Sequence, residues 1–263
     1  MKSLSESNVC LELLAALRRL KRSARSAEAN VRFALGGGKR LTPLSGEQIG
    51  RYRRDGFLLV PRLLPGDLVR GAEQAMWRCL RADPSRKETW SVLGPHPHIL
   101  RDAALSTVYT QALMGAAAQL SDTDVAGLRR PTHVYTINNL PVTRSWRPHR
   151  PHIDGALPSL RQRTFPPPVR VGSIIYLTDV GLHGGGTMVY PGSHLQLESL
   201  ARSDGAKYRY LAALNAELGG LELGSPVELT PAAGDVLFHH YLLVHATSDN
   251  ASGAPRLALL HQW

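Results

Sequence analysis

GDVLFHHYLLVHATSDN, residues 234–250, is the stretch that decides the architecture. Gly234-Asp235 predicts a tight turn into a short buried strand, Val236–His240. Leu242–Thr247 reads as a second strand, and polar residues follow it as far as Asn250. An apolar run that ends in His245 with a polar tail behind it places that ring at the mouth of a β-core.

The same texture extends outward in both directions. His133–Asn138, Val169–Thr178, Thr187–Tyr190, Val227–Leu229 and Leu257–Gln262 are short runs rich in β-branched and aromatic residues, punctuated by Pro and Gly. Many short strands without a helix between each pair argue against a parallel βαβ sheet. They predict a mainly β fold with flanking helices, built on an antiparallel jelly roll: a cupin-like double-stranded β-helix. The helices lie in the first half. Ser45–Arg54 opens on a cap candidate with Gln48 three residues on, and Leu68–Leu80 and Val108–Leu120 follow, with Phe57–Val60 as a strand stopped by Pro61. His133 onward is thus one domain with those helices, residues 43–263.

Residues 1–42 read as a separate basic arm. Val9, Leu13, Leu17 and Leu20 recur at helical spacing, and Gly36-Gly37-Gly38 separates that helix from the domain. The net charge of +10 belongs mostly to the N-terminal region: residues 1–54 carry +8 of it. The remainder is close to neutral, which speaks against a nucleic-acid partner. Cys10 and Cys79 form no C-x-x-C pair and no disulfide framework, as expected of a reducing, cytoplasmic setting. No apolar run is long enough for a membrane helix.

Among eleven histidines only one has a carboxylate two positions later, in His152-Ile153-Asp154. On extended backbone, residues i and i+2 project from one face, so both side chains can enter one barrel. Imidazole and carboxylate suit iron(II), and a third ligand from a distant histidine would leave positions open for cosubstrate and oxygen. His183, His194, His239, His240, His245 and His261 are the candidates for that third place. His239 shares strand parity with His245, and periodicity does not exclude it. Spacing to an arginine distinguishes His245, which stands in an H-x10-R arrangement with Arg256. A guanidinium at the start of an apolar strand needs a partner, and the far carboxylate of 2-oxoglutarate is a fitting one.

Four segments in order resemble the phytanoyl-CoA dioxygenase family of iron(II)- and 2-oxoglutarate-dependent oxygenases. They are EQIGRYRRDGFLLVPRLL from Glu47, PHIDG at 151–155, GGGTMVYPGSH at 184–194, and the opening stretch with Arg256 behind it. The resemblance runs from about Leu44 to the C-terminus. It implies a dioxygenase that uses Fe(II), 2-oxoglutarate and O2, most simply to hydroxylate a C–H bond with release of succinate and CO2. By the same resemblance His152, Asp154 and His245 are metal ligands, and Arg256, Thr247 and Asn138 contact the cosubstrate. It also implies that His239 and His240 are not ligands and that Gly192 and His194 belong to a structural turn. A carboxylate at position 154 leaves no room for chloride and speaks against a halogenase.

The substrate is expected to be a small molecule. Trp146, His149 and Arg150 just before the ligand pair, with Arg163 in the Pro-rich loop after it, are candidate contacts for an acidic group on it. Two rival readings share the fold. One is a jelly-roll binding module without turnover, and the other is a zinc-dependent cupin-type hydrolase or isomerase, which would not need Arg256.

Overall fold

A computed structural model describes residues 43–94 and 96–263. The basic arm expected over residues 1–42, with the helix predicted in it, falls outside the described residues. The domain opens with helix α1 (Gly46–Asp55), held at its start by the expected capping box between Ser45 and Gln48. Gly56 closes α1 at φ +82°, and strand β1 (Phe57–Val60) begins at the next residue. Helix α2 (Gly66–Leu80), a short strand β2 (Ile99–Leu100) and helices α3 (Ala103–Thr107) and α4 (Gln111–Leu120) complete the first half. The single helix expected over 108–120 is therefore shorter. Thr110 accepts a hydrogen bond from the Leu113 amide and starts α4 afresh.

The second half supplies β3 (Val134–Thr136), β4 (Val171–Tyr176), β5 (Met188–Val189), β6 (Val227–Glu228), β7 (Val236–His240), β8 (His245–Ala246) and β9 (Ala258–Gln262). Between β5 and β6 run two helices that periodicity did not flag, α5 (Ser193–Ser203) and α6 (Leu211–Glu217). One antiparallel sheet has the order β1-β7-β4-β9-β3-β2, and a smaller one has the order β6-β5-β8. This is the jelly roll expected from the short, Gly- and Pro-punctuated strands. Leu242–Val244 departs from that expectation: it is fully buried but is not a strand, and only His245–Ala246 pairs.

Alternation along the strands sorts residues between two layers. Val236 and Phe238 of β7, Val171 and Ile175 of β4, and Leu257 and Leu259 beside or in β9 face α1–α4, together with Met76, Leu113 and Ala117. Leu237, Ile174, Tyr176 and Ala258 face the opposite way, toward Val189, Leu229 and Leu243 in the barrel interior. All six residues of β4 are buried, so the strand has no solvent-facing side and shows no apolar–polar alternation. A third cluster packs α5 and α6 over Ile153, Leu242 and Val244 and so props the two ligand-bearing segments from outside.

His194 on α5 fastens that layer to the first half, as a structural residue. Its Nε2 donates to the Arg53 carbonyl at 3.0 Å, and its ring lies against Gly56. A Cβ at Gly56 would meet His194 Nδ1 at 2.5 Å and would sit on left-handed backbone. Gly56→Ala is expected to destabilise the fold by about 2 kcal/mol or more, read from the denaturant midpoint.

Candidate metal centre

His152 and Asp154 arrive on an irregular segment, not on a regular strand. Two backbone hydrogen bonds, His152 N–H to the His245 carbonyl at 2.9 Å and its reciprocal at 3.0 Å, tie that segment to β8. The His149 amide extends the ladder to the Thr247 carbonyl at 2.9 Å. Side chains of residues paired in this way share a face, and the rings of His152 and His245 lie 4.6 Å apart. Asp154, two residues along, reaches the same point. One ligand atom from each of His152, Asp154 and His245 lies within 4.8 Å of the others, so the three can hold one divalent ion. His152 forms the exposed rim, Asp154 is half-buried and His245 is buried.

The tautomers suit that purpose. Nδ1 of His245 donates to the Leu243 carbonyl at 3.0 Å, and Nδ1 of His152 faces the Arg150 carbonyl at 3.4 Å. Nε2 of each ring is left as the nitrogen for a cation. Burial alone would raise the Asp154 carboxyl, but the imidazoles of His245, His239 and His152 outweigh it and hold Asp154 below the usual carboxylate range. Burial would lower His245, and Asp154 reverses this and raises it. His152 has an exposed edge, yet the protein packed round its ring desolvates it and, with His245 second, lowers it to about 4. The cluster keeps its carboxylate ionised and favours positive charge between Asp154 and His245, where Nε2 and Oδ1 are 3.6 Å apart.

Arg256 is 5% exposed, and no carboxylate among the described residues pairs with it. Its Nη1 and Nη2 donate to the carbonyls of Gly185 and Ile137, each at 2.7 Å, while its Nε has no partner. Burial works against its charge. A buried guanidinium facing only carbonyls is costly unless an anion completes it, so this residue fits the carboxylate of a 2-oxo acid. Thr247 is next to that region through Asn139, whose amide donates to Thr247 Oγ1 at 3.1 Å and to the Ser248 carbonyl at 2.7 Å. Asn138 is placed elsewhere. Its amide donates to the Leu93 carbonyl at 3.0 Å and accepts from the Ala258 amide, on the helix-covered face. The period of two explains it: Ile137 and Asn139 face the barrel interior, and Asn138 between them does not.

The basic segment before the ligand pair is largely neutralised within the protein. Arg144 and His149 both donate to the buried Asp249, with His149 Nε2 to Oδ1 at 2.8 Å, and Arg147 stands 3.5 Å from the same carboxylate. Trp146 stacks on His183 with ring centres 4.3 Å apart. Within this segment Arg150, exposed beside His152, forms no ion pair with a described residue. Arg163 pairs with Tyr210 and is exposed, whereas its neighbours in that pairing, Gln162 and Leu211, line the cleft beside Asp154. Asp249 is the residue that sequence reasoning missed here, since only folding brings position 249 to 144 and 149. The bond to Arg144, before His149, holds its carboxyl well below the ordinary range. Its contribution to stability is present above the unfolded carboxylate value of about 4 and is lost as pH falls through the depressed folded value. Asp249→Asn is expected to lower the melting temperature at pH 7 by several degrees, about 1–3 kcal/mol given the half-exposed partners, and the difference from wild type should shrink in acid.

A jelly roll whose mouth brings together two imidazoles and one carboxylate, and which also buries an arginine without a carboxylate partner among the described residues, has the side chains of a non-haem iron oxygenase that uses a 2-oxo acid. A sequence model of the phytanoyl-CoA dioxygenase (PhyH) family matches residues 52–258, and the chain belongs to that family. It is a 2-oxoglutarate-dependent non-haem iron dioxygenase, with Fe(II) as cofactor and 2-oxoglutarate and O2 as cosubstrates. An ectoine dioxygenase from Bordetella bronchiseptica is 26% identical over 247 residues, covering 84% of this chain and 75% of its own. The crystal structure of the non-haem α-ketoglutarate-dependent carbocyclase SnoK from nogalamycin biosynthesis shares the fold, with a TM-score of 0.57, 24% identity, and 86% of this chain and 87% of that one covered. EvdO2 from Micromonospora carbonacea var. aurantiaca, solved with 2-oxoglutarate, gives a TM-score of 0.56 at 19% identity, covering 82% and 89%. No helix among the described residues is long and apolar enough to cross a membrane.

Proposed function

We propose that His152, Asp154 and His245 hold the iron and that Arg256 with Thr247 takes the far carboxylate of 2-oxoglutarate, so that the enzyme hydroxylates a C–H bond of a small molecule. The convergence of three ligand atoms within 4.8 Å carries this reading. Bound iron and 2-oxoglutarate supply the oxidation: one O2 is divided between succinate, formed with loss of CO2, and the hydroxyl of the product. The chain's own residues bind, orient and shield. The Nδ1–H bonds of His152 and His245 orient both rings, Arg256 fixes the direction of the keto acid, and Leu243 with Leu237 and Ile174 keeps the barrel interior apolar. A small cavity beside Asp154, lined by Gln162, Pro168, Leu211 and Tyr241, has room for about one water molecule and marks the proposed side from which the substrate approaches. Arg150 at the rim favours a substrate with an acidic group.

A succinate-release screen of small molecules with the iron-loaded protein tests this. Release stimulated above the substrate-free rate, with a product heavier by one oxygen atom, is the expected result. A product lighter by two hydrogens would replace hydroxylation with desaturation or ring closure. A folded, iron-loaded protein that releases no succinate with any substrate and does not bind 2-oxoglutarate would overturn the reading.

A further inference from the structure

His239 stands beside the candidate centre without a role in it. It is 2% exposed, neither ring nitrogen has a hydrogen-bond partner, and it follows three buried apolar residues, Val236, Leu237 and Phe238. A buried polar group left unpaired is costly, so its place in an apolar strand calls for a compensating task. Strand register shows where it points. His239 pairs with Gly172 on β4, and Gly172 pairs with Gln262 on β9, which makes one row across three adjacent strands. Directly opposed residues share a face, here the barrel interior that Leu237, Ile174 and Ala258 also face.

The middle of that row is empty of side chain. A Cβ on Gly172 would lie 2.1 Å from His239 Nε2 and 2.3 Å from its Cε1, so the imidazole occupies the volume a side chain would need. The φ of Gly172 does not require glycine; the space does. Across the gap both ends of the row converge on one atom. Gln262 Nε2 donates to Asp154 Oδ2 at 3.0 Å, and His239 Nε2 is 3.9 Å from the same oxygen. The other oxygen, Oδ1, faces His245 at 3.6 Å.

We infer that Gln262, through its hydrogen bond, and His239, packed 3.9 Å from the same atom, are positioning residues that hold the outer oxygen of Asp154, so that the carboxylate offers a single oxygen to the iron; this rests on the metal-centre reading above. A carboxylate bound through one oxygen uses one coordination position instead of two and leaves the others for the keto acid and O2. An outer hydrogen bond to a ligating carboxylate also fixes its direction, and losing such a partner typically costs about 10–100-fold in metal affinity.

Anaerobic titration of the metal-free full chain with Co(II) tests the proposal, with thermal melting of each metal-free variant as the control for folding. Wild type should bind one Co(II), and Asp154→Ala should bind it far more weakly. His239→Phe and Gln262→Leu should each lower Co(II) affinity about 10–100-fold while the metal-free protein melts within a few degrees of wild type. His239→Gln, which keeps a polar N–H facing Asp154, should recover most of that loss. Gly172→Ala, which displaces the ring, should behave like His239→Phe. The two single losses should not add fully, because both act on one oxygen. If wild type and Asp154→Ala bind alike, the metal-centre reading itself fails. If Asp154→Ala is impaired while His239→Phe binds as tightly as wild type, the positioning role fails alone. X-ray absorption on the loaded variants should count the same number of imidazoles in His239→Phe as in wild type; one fewer would make His239 a ligand and overturn the assignment.

Discussion

Asp154→Ala is expected to reduce succinate release by at least about three orders of magnitude, roughly 4 kcal/mol of lost catalysis, while leaving the metal-free fold intact. Asp154 is the only carboxylate among the described residues in the cluster with His152 and His245. Removing it leaves two neutral nitrogens to hold a hard cation and takes away the charge that raises His245. The loss should not spread to the fold, because Asp154 sits at the barrel mouth with its side chain 21% exposed. Its carboxylate accepts from Gln262, a side chain near the end of the last strand, and otherwise faces the histidines of the site. Two readings on one sample decide the matter: succinate produced per iron-loaded chain, and the melting temperature of the metal-free protein. Loss of the first without loss of the second is the signature of a ligand rather than a core residue.

Arg256→Met should raise the KM for 2-oxoglutarate by about 10–100-fold, corresponding to the roughly 1.5–3 kcal/mol of a charge-assisted hydrogen bond. The volume is nearly kept, but the partner for the far carboxylate is gone. Two carbonyls, of Gly185 and Ile137, also lose their donor, so a stability loss of about 1–3 kcal/mol should accompany the kinetic effect. Choice of cosubstrate separates the two consequences. Wild type should strongly prefer 2-oxoglutarate to 2-oxobutyrate, which lacks the second carboxylate, and Arg256→Met should nearly lose that preference. General destabilisation would depress both keto acids alike. Arg256→Lys keeps the charge but not the fork, and should fall between the two.

The parts of this molecule legible in the sequence were those governed by local period. Val236–His240 and Leu257–Gln262 showed themselves by composition, and α1 by its reciprocal Ser45–Gln48 cap. The His152–Asp154 spacing carried over because two residues on extended backbone share a face even without a regular strand. What depended on register or on distant partners was hidden. Asn138 is the expected contact but the neighbouring Asn139 is the one that meets Thr247, since one residue of phase decides which face of the sheet a side chain joins. His149 and the arginines around it looked available for a substrate until folding placed Asp249 among them. The parity of His239 with His245 was visible, but its alignment through Gly172 to Gln262 exists only once three strands are paired. Helices α5 and α6 escaped because the Pro191-Gly192 turn and the polar run at 202–207 mask their apolar faces, which pack on Ile153 and Leu242.

One titration reaches the centre of the account most directly. Iron(II), then 2-oxoglutarate, is added without oxygen to the metal-free full chain, and the visible charge-transfer band of an iron–keto acid complex is followed. The band should saturate at one iron per chain in wild type, require far more 2-oxoglutarate in Arg256→Met, and be absent in Asp154→Ala. No band from a folded, iron-loaded wild type, or an equal band in Asp154→Ala, would contradict the assignment of these side chains.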